Sequence, residues 1–160
     1  MTKKPEYHHQ EEFQNRSRKL EEIRQTEVEP YPHKFTPTHS TLDIHQEFND
    51  VQMGHSDDAA AGTTQAVSVA GRLVLFRSMG KNAFAHIQDE TGRIQIMFNR
   101  DSSVLTGYEQ ANPNGEHPLK FIEKKIDLGD IIGIKGHLFH TQKGELTIFV
   151  KEATLLCKTL

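Results

Sequence analysis

Apolar and polar positions divide the chain into three textures. From about Tyr7 to Thr26 the sequence is polar and helix-compatible, and Phe13, Leu20 and Ile23 recur at spacings of seven and three. They leave a thin apolar stripe among Glu11, Glu12, Arg16, Arg18, Lys19, Glu21, Glu22 and Arg24, which predicts a solvated helix docked by one edge. Pro30, Pro32 and Pro37 end it, because proline removes an amide donor and biases its predecessor toward extended backbone. Thr41 to Phe48 predicts a short second helix, capped by Ser40 or Thr41, with Leu42, Ile44, His45 and Phe48 on its apolar face. Asn49 to Gln65, with Gly54, three consecutive alanines and Gly62, has no period and predicts a loop.

From Ala66 the period changes to two. Val67, Val69, Leu73 and Leu75 alternate with Ser68, Ala70, Arg72 and Phe76 as one long strand, with Gly71 predicting a bulge or sharp bend in its middle. Ala83 to Asp89 and Arg93 to Phe98 make a hairpin around Glu90-Thr91-Gly92. Pro118 to Ile126 reads as a helix with Leu119, Ile122 and Ile126 on one side. Ile131 to His140 and Glu145 to Leu155 form a last hairpin, in which Gly144 supplies the left-handed position of the turn. The order β-β-β-α-β-β predicts a mainly β chain: a five-stranded Greek-key barrel of the OB-fold type, preceded by an N-terminal helical extension. The expected organisation is an N-terminal helix over 1–28, a proline-containing linker with a short helix and loop over 29–65, the barrel over 66–156, and the start of an onward link over 157–160.

Burial alone sets the register of the central hairpin. Pairing Ile87 with Ile94, Ala85 with Ile96 and Ala83 with Phe98 turns all six apolar residues to one side. The other side then carries Phe84 across from Met97, His86 across from Gln95 and Gln88 across from Arg93. An aromatic ring beside an amide, an imidazole and a guanidinium suits single-stranded RNA: the ring stacks on a base, and the amide donates and accepts at a free Watson–Crick edge. Arg77, further along the first strand, would reach a base or phosphate. On pattern alone a second reading stays open, with Phe84 packed under the long first loop and Gln95 merely solvated.

Charge changes this picture little. Residues 1–65 carry 7 Lys and Arg against 12 Asp and Glu, and residues 66–160 carry 12 against 10, within a net charge of -3. The barrel half is mildly basic, too weakly for a binder working through phosphates alone, so bases must carry much of any recognition. A mixed-charge leader helix touching RNA phosphates is the sharper alternative to a purely structural one. No apolar run is long enough to span a membrane, no signal peptide follows the N-terminus, and a single cysteine, Cys157, excludes an internal disulfide; a cytoplasmic setting fits. The 10 histidines are scattered, and His137 and His140 fall on opposite faces of one strand, so no metal site is expected. Asp127 and Asp130 flank Gly129 and read as a turn, and Met79-Gly80-Lys81 falls short of a phosphate-cradling loop. No nucleophile, base and orienting group can be assembled, so no catalytic residue is expected.

Taken together, several stretches resemble the N-terminal anticodon-binding domain of class II lysyl-tRNA synthetases. They are Lys19-Leu20-Glu21-Glu22-Ile23-Arg24 with Val28 to Phe35, Val69-Ala70-Gly71-Arg72 with Arg77 to Phe84, Gln88-Asp89 with Gly92-Arg93-Ile94-Gln95, and Asp127 to Gly133 with Gly136, Phe139, Thr141 and Lys143 to Ile148. The resemblance implies a barrel that grips a tRNA anticodon and reads its uridines. Phe84 would stack on the central base, Arg77 and Gln95 would hydrogen-bond to it, and Glu145 would meet a neighbouring base. Lys81, His86, Arg93 and Lys143 would be secondary RNA contacts. It also implies that the intact enzyme, a homodimer, joins lysine to its tRNA with ATP and magnesium through a catalytic domain that does not lie in these 160 residues. The expectation is therefore a fragment or free-standing module that binds no cofactor and is inactive alone. The stretches 49–65 and 101–117 depart from the family pattern. The competing readings are an aspartyl- or asparaginyl-type synthetase barrel, a sequence-indifferent single-strand binder, and a protein-interaction barrel.

Overall fold

The computed structural model describes residues 18–19, 35–49, 54–106 and 118–158. Within them the β-rich texture becomes strands β1 (Ala66–Met79), β2 (Asn82–Gln88), β3 (Arg93–Asn99), β5 (Ile131–His140) and β6 (Leu146–Cys157). The helices are α1 (Thr41–Phe48), α2 (Ser56–Ala60) and α3 (Pro118–Lys125). Of the expected helix over Tyr7 to Thr26, only Arg18 and Lys19 are described, and both are helical; the rest lies outside the described residues.

The strands close on themselves. β1 pairs antiparallel with β5 through Ala66–Arg72 and with β2 through Arg72–Met79, β2 pairs with β3, β5 with β6, and a short parallel pairing of β3 with β6 completes the ring. This five-stranded barrel is the expected OB-fold. Its central hairpin has the register that burial demands, Ile87↔Ile94, Ala85↔Ile96 and Ala83↔Phe98. Slipping β3 by one residue against β2 would expose Ile94, Ile96 and Phe98, at roughly 2 kcal/mol each. The interior is filled by these residues with Val67, Val69, Leu73, Ile134, Leu138, Ile148 and Val150, and Leu119, Ile122 and Ile126 from α3 and its exit join it.

Several details differ from expectation, each for a packing reason. The bulge in β1 falls between Leu73 and Leu75, while at Gly71 and Arg72 the strand passes from pairing with β5 to pairing with β2. Gly71 also marks a close approach: a Cβ there would lie 2.9 Å from the Gln88 carbonyl oxygen. The bulge at Val74 reverses the strand's parity, so Leu75 is 47% exposed while Phe76 packs against the core. On α1, Leu42 is exposed rather than apolar-facing. Thr41 is buried in its place because its hydroxyl and amide donate to Asp89 at 2.7 and 2.8 Å. The expected loop 49–65 contains α2, whose Ala59 is fully buried against Met97, Phe139 and Phe149. A sixth, two-residue strand, β4 (Val104–Leu105), pairs parallel with β6 inside the stretch expected to be loop.

Asp127 and Asp130 do more than turn the chain. The Lys158 ammonium, fully buried, donates to Asp127 Oδ2 at 2.6 Å and to Asp130 Oδ2 at 2.7 Å, and Lys19 reaches the other oxygen of Asp127. Burial pushes the Asp127 carboxyl up, but bonds from Lys158 and Lys19 outweigh it and hold the group below the usual carboxylate range.

Candidate nucleic-acid interface

Two cross-strand rows build the outer face of the barrel. The first runs Arg77, Phe84, Met97, Phe149 across β1, β2, β3 and β6; the second runs Leu75, His86, Gln95, Thr147 across the same strands. Cross-strand neighbours on one face have Cβ atoms about 5 Å apart, so each row is contiguous, with Met97, Phe149 and Thr147 buried within it. The β1 bulge brings Arg77 and Leu75 onto this face, since unbroken alternation from buried Leu73 would have turned both inward.

Phe84 is half-buried, not fully exposed. It packs against a cluster of Met97, Phe139, Phe149 and Ala59, so the loop containing α2 contributes to its bed. Lys151 holds that loop down, donating to the Ala60 carbonyl with its ammonium 5.5 Å from the Phe149 ring centroid. The ring is thus backed by the covering segment yet keeps exposed surface. A ring already immobilised loses less freedom when a base stacks on it.

Beyond the apolar Leu75, the second row is polar and bonded from His86 to Thr147. His86 Nε2 lies 3.3 Å from Gln95 Oε1, Gln95 Nε2 donates to Thr147 Oγ1 at 3.1 Å, and Thr147 Oγ1 donates to the Glu145 carbonyl at 3.1 Å. The Glu145 carboxylate stands 4.0 Å from His86 Nε2. Gln95 is therefore bonded, not merely solvated. Arg93 lies along the hairpin edge, its Nε donating to Gln88 Oε1 at 2.8 Å. Lys81 and Lys143 are exposed in the β1–β2 and β5–β6 turns, beside Gly80 (φ 66°) and Gly144 (φ 84°).

Of the residues singled out in the sequence, Arg77, Phe84, His86 and Gln95 share this face, and Glu145 adjoins it through His86. Pattern reading missed Leu75 and Thr147. Leu75 was hidden by a bulge that carries no sequence mark, and Thr147 by a parallel pairing between strands far apart in the chain. Among the described residues, no three His, Cys, Asp or Glu side chains group to hold a metal ion, and no helix is long and apolar enough to cross a membrane.

Residues 67–156 match the tRNA anticodon family of OB-fold nucleic acid binding domains. The chain belongs to that family. This OB-fold chain is also 53% identical over 97% of its length to a lysine–tRNA ligase of Chlamydia caviae and 52% identical over its whole length to one of Chlamydia felis. A lysine–tRNA ligase of Thermosipho melanesiensis is 36% identical over 92% of the chain. The OB-fold chain spans less than a third of these relatives: 29%, 30% and 26% of their lengths. It is thus an anticodon-binding type of OB domain homologous to the lysyl-tRNA synthetases.

Proposed function

We propose that this domain reads the anticodon of a lysine tRNA. Phe84 stacks on the central base, Arg77 and Gln95 hydrogen-bond to it, and Glu145 meets its neighbour. Lys81, His86, Arg93 and Lys143 make the secondary contacts with the RNA. The observation that carries this reading is the pair of rows that bring Arg77, Phe84, His86 and Gln95 onto one face, with an immobilised ring beside an oriented amide. Stacking supplies affinity that any base shares, and the amide adds discrimination among bases. The homology to lysine–tRNA ligases supports lysine as the amino acid. The parent protein, on this reading, attaches lysine to tRNA as a cytoplasmic homodimer. The ATP and magnesium chemistry is assigned to the part of such a protein outside this match, and the chain alone is inactive.

A titration of the chain with an anticodon stem-loop bearing UUU, beside loops altered at the central uridine, tests the reading. Preference for the uridine loop is expected; equal affinity for every loop would reduce the domain to a generic single-strand binder. Phe84→Leu keeps apolar contact with Met97 and Phe149 while removing the π face, and should weaken uridine-loop binding by roughly 1–3 kcal/mol with the melting temperature little changed. Unchanged affinity would remove the stacking role.

A further inference from the structure

The polar row has a direction that one backbone carbonyl imposes. The Glu145 carbonyl can only accept, so the Thr147 hydroxyl spends its single proton there. Toward Gln95 the Thr147 oxygen can then only accept, which requires the Gln95 amino group on that side, where Nε2 lies 3.1 Å away. The Gln95 carbonyl oxygen is left facing His86 Nε2 at 3.3 Å, and a carbonyl oxygen demands a donor. His86 therefore carries its proton on Nε2, and the Glu145 carboxylate oxygen 4.0 Å from the same nitrogen favours that arrangement. Thr147 is fully buried, so solvent does not compete for its hydroxyl.

From this chain of bonds we infer that His86 and Thr147 are positioning residues that lock the Gln95 amide in one orientation, and that the lock separates uracil from cytosine. The inference rests on the proposed anticodon reading. A primary amide has two N–H donors and two carbonyl lone pairs. One of each is taken by the row, and one of each is left for a ligand. Uracil presents a donor at N3 beside an acceptor at O4; cytosine presents an acceptor at N3 beside a donor at its 4-amino group. A base held on Phe84 offers this edge in one sense only. An amide whose oxygen faces N3–H and whose amino group faces O4 suits uracil, and the same amide turned over suits cytosine. A free glutamine would turn to satisfy either base. Anchored on Thr147 and His86, it rejects cytosine, because each contact then sets donor against donor or acceptor against acceptor.

The test uses the 160-residue chain and two stem-loop RNAs differing only in uridine or cytidine at the central loop position. Wild type should favour uridine. Thr147→Val removes the hydroxyl at nearly constant volume, His86→Leu removes the ring donor, and each should lower the uridine-to-cytidine affinity ratio by about fivefold to tenfold, chiefly through tighter cytidine binding. Thr147→Ser restores the hydroxyl and should restore the ratio. Nitrogen-15 NMR of the free chain should show the Nε2–H form of His86, with a Gln95 amide proton protected from exchange in wild type and Thr147→Ser but not in Thr147→Val. The lock is overturned if wild type discriminates and Thr147→Val keeps the same ratio, or if His86 is protonated on Nδ1 alone. Wild type binding both loops alike would instead overturn the anticodon reading, and the lock with it. Should His86→Leu fold poorly, the Val and Ser variants at Thr147 decide the question between them.

Discussion

Single residues here act through what they hold in place. Asp89, half-buried, accepts the Thr41 amide and hydroxyl and the Thr91 amide and hydroxyl, all at 2.7 to 2.8 Å, tying the start of α1 to the β2–β3 turn. Burial alone would raise its pKa, but the bonds from Thr41 and Thr91 outweigh it and hold the carboxyl at about 2 against an ordinary 3.8. A depressed carboxylate contributes stability that is present above pH 3.8 and lost as pH falls through about 2. With solvent screening at a half-buried site, that contribution is roughly 1 kcal/mol. Asp89→Asn should lower stability by this order at pH 7, and the gap from wild type should close toward pH 2. Urea melts at the two pH values check it; a gap independent of pH would mean the ionised form is not what the two threonines hold.

At the scale of elements, β1 decides the geometry of the interface. Its first half pairs with β5 and its second with β2, so the strand must turn between two sides of the barrel near Gly71 and Arg72. Gly71 has no side chain to keep the Gln88 carbonyl at bay, and a Cβ at 2.9 Å would push β1 and β2 apart. Gly71→Ala should cost roughly 1–3 kcal/mol of stability and loosen the β1–β2 amides in hydrogen exchange while leaving the β5–β6 amides protected. Uniform loss of protection would show instead that the barrel yields as one unit. The short α2 segment is held to the barrel by buried Ala59 and by the bond from Lys151 of β6 to the Ala60 carbonyl, which keeps an irregular stretch close to the aromatic bed of Phe84.

For the whole molecule, the ion cluster at Lys158 joins distant parts of the chain. A residue just after β6 is bonded to the turn before β5, and Lys19 of the leader reaches the same aspartate. Lys158 and Asp130 side chains are both fully buried. Removing one partner of a buried pair strands the other in a low dielectric, so Lys158→Met should destabilise the domain by about 3 kcal/mol. A lowered denaturant midpoint at unchanged slope is the expected result; a midpoint within error of wild type would show that water reaches the two aspartates and screens them.

Much of this was legible along the chain, because periodicity is a local property. Alternation identified the five barrel strands, and burial of Ile87, Ile94, Ile96 and Phe98 chose the hairpin register, which by parity put Phe84, His86 and Gln95 on one face. What stayed hidden depended on contacts between distant segments. The bulge at Val74, which turns Arg77 outward, has no residue type that announces it. The parallel joining of β3 to β6 brings Thr147 to Gln95 across 52 residues. Asp127 and Asp130 look like turn residues until Lys158 arrives from 31 and 28 positions away. Sequence by itself determined which residues alternate and hence which side of each strand is apolar. Only closure of the barrel decided which polar atoms meet, since hydrogen-bond direction is set by neighbours in space and not by neighbours in the chain.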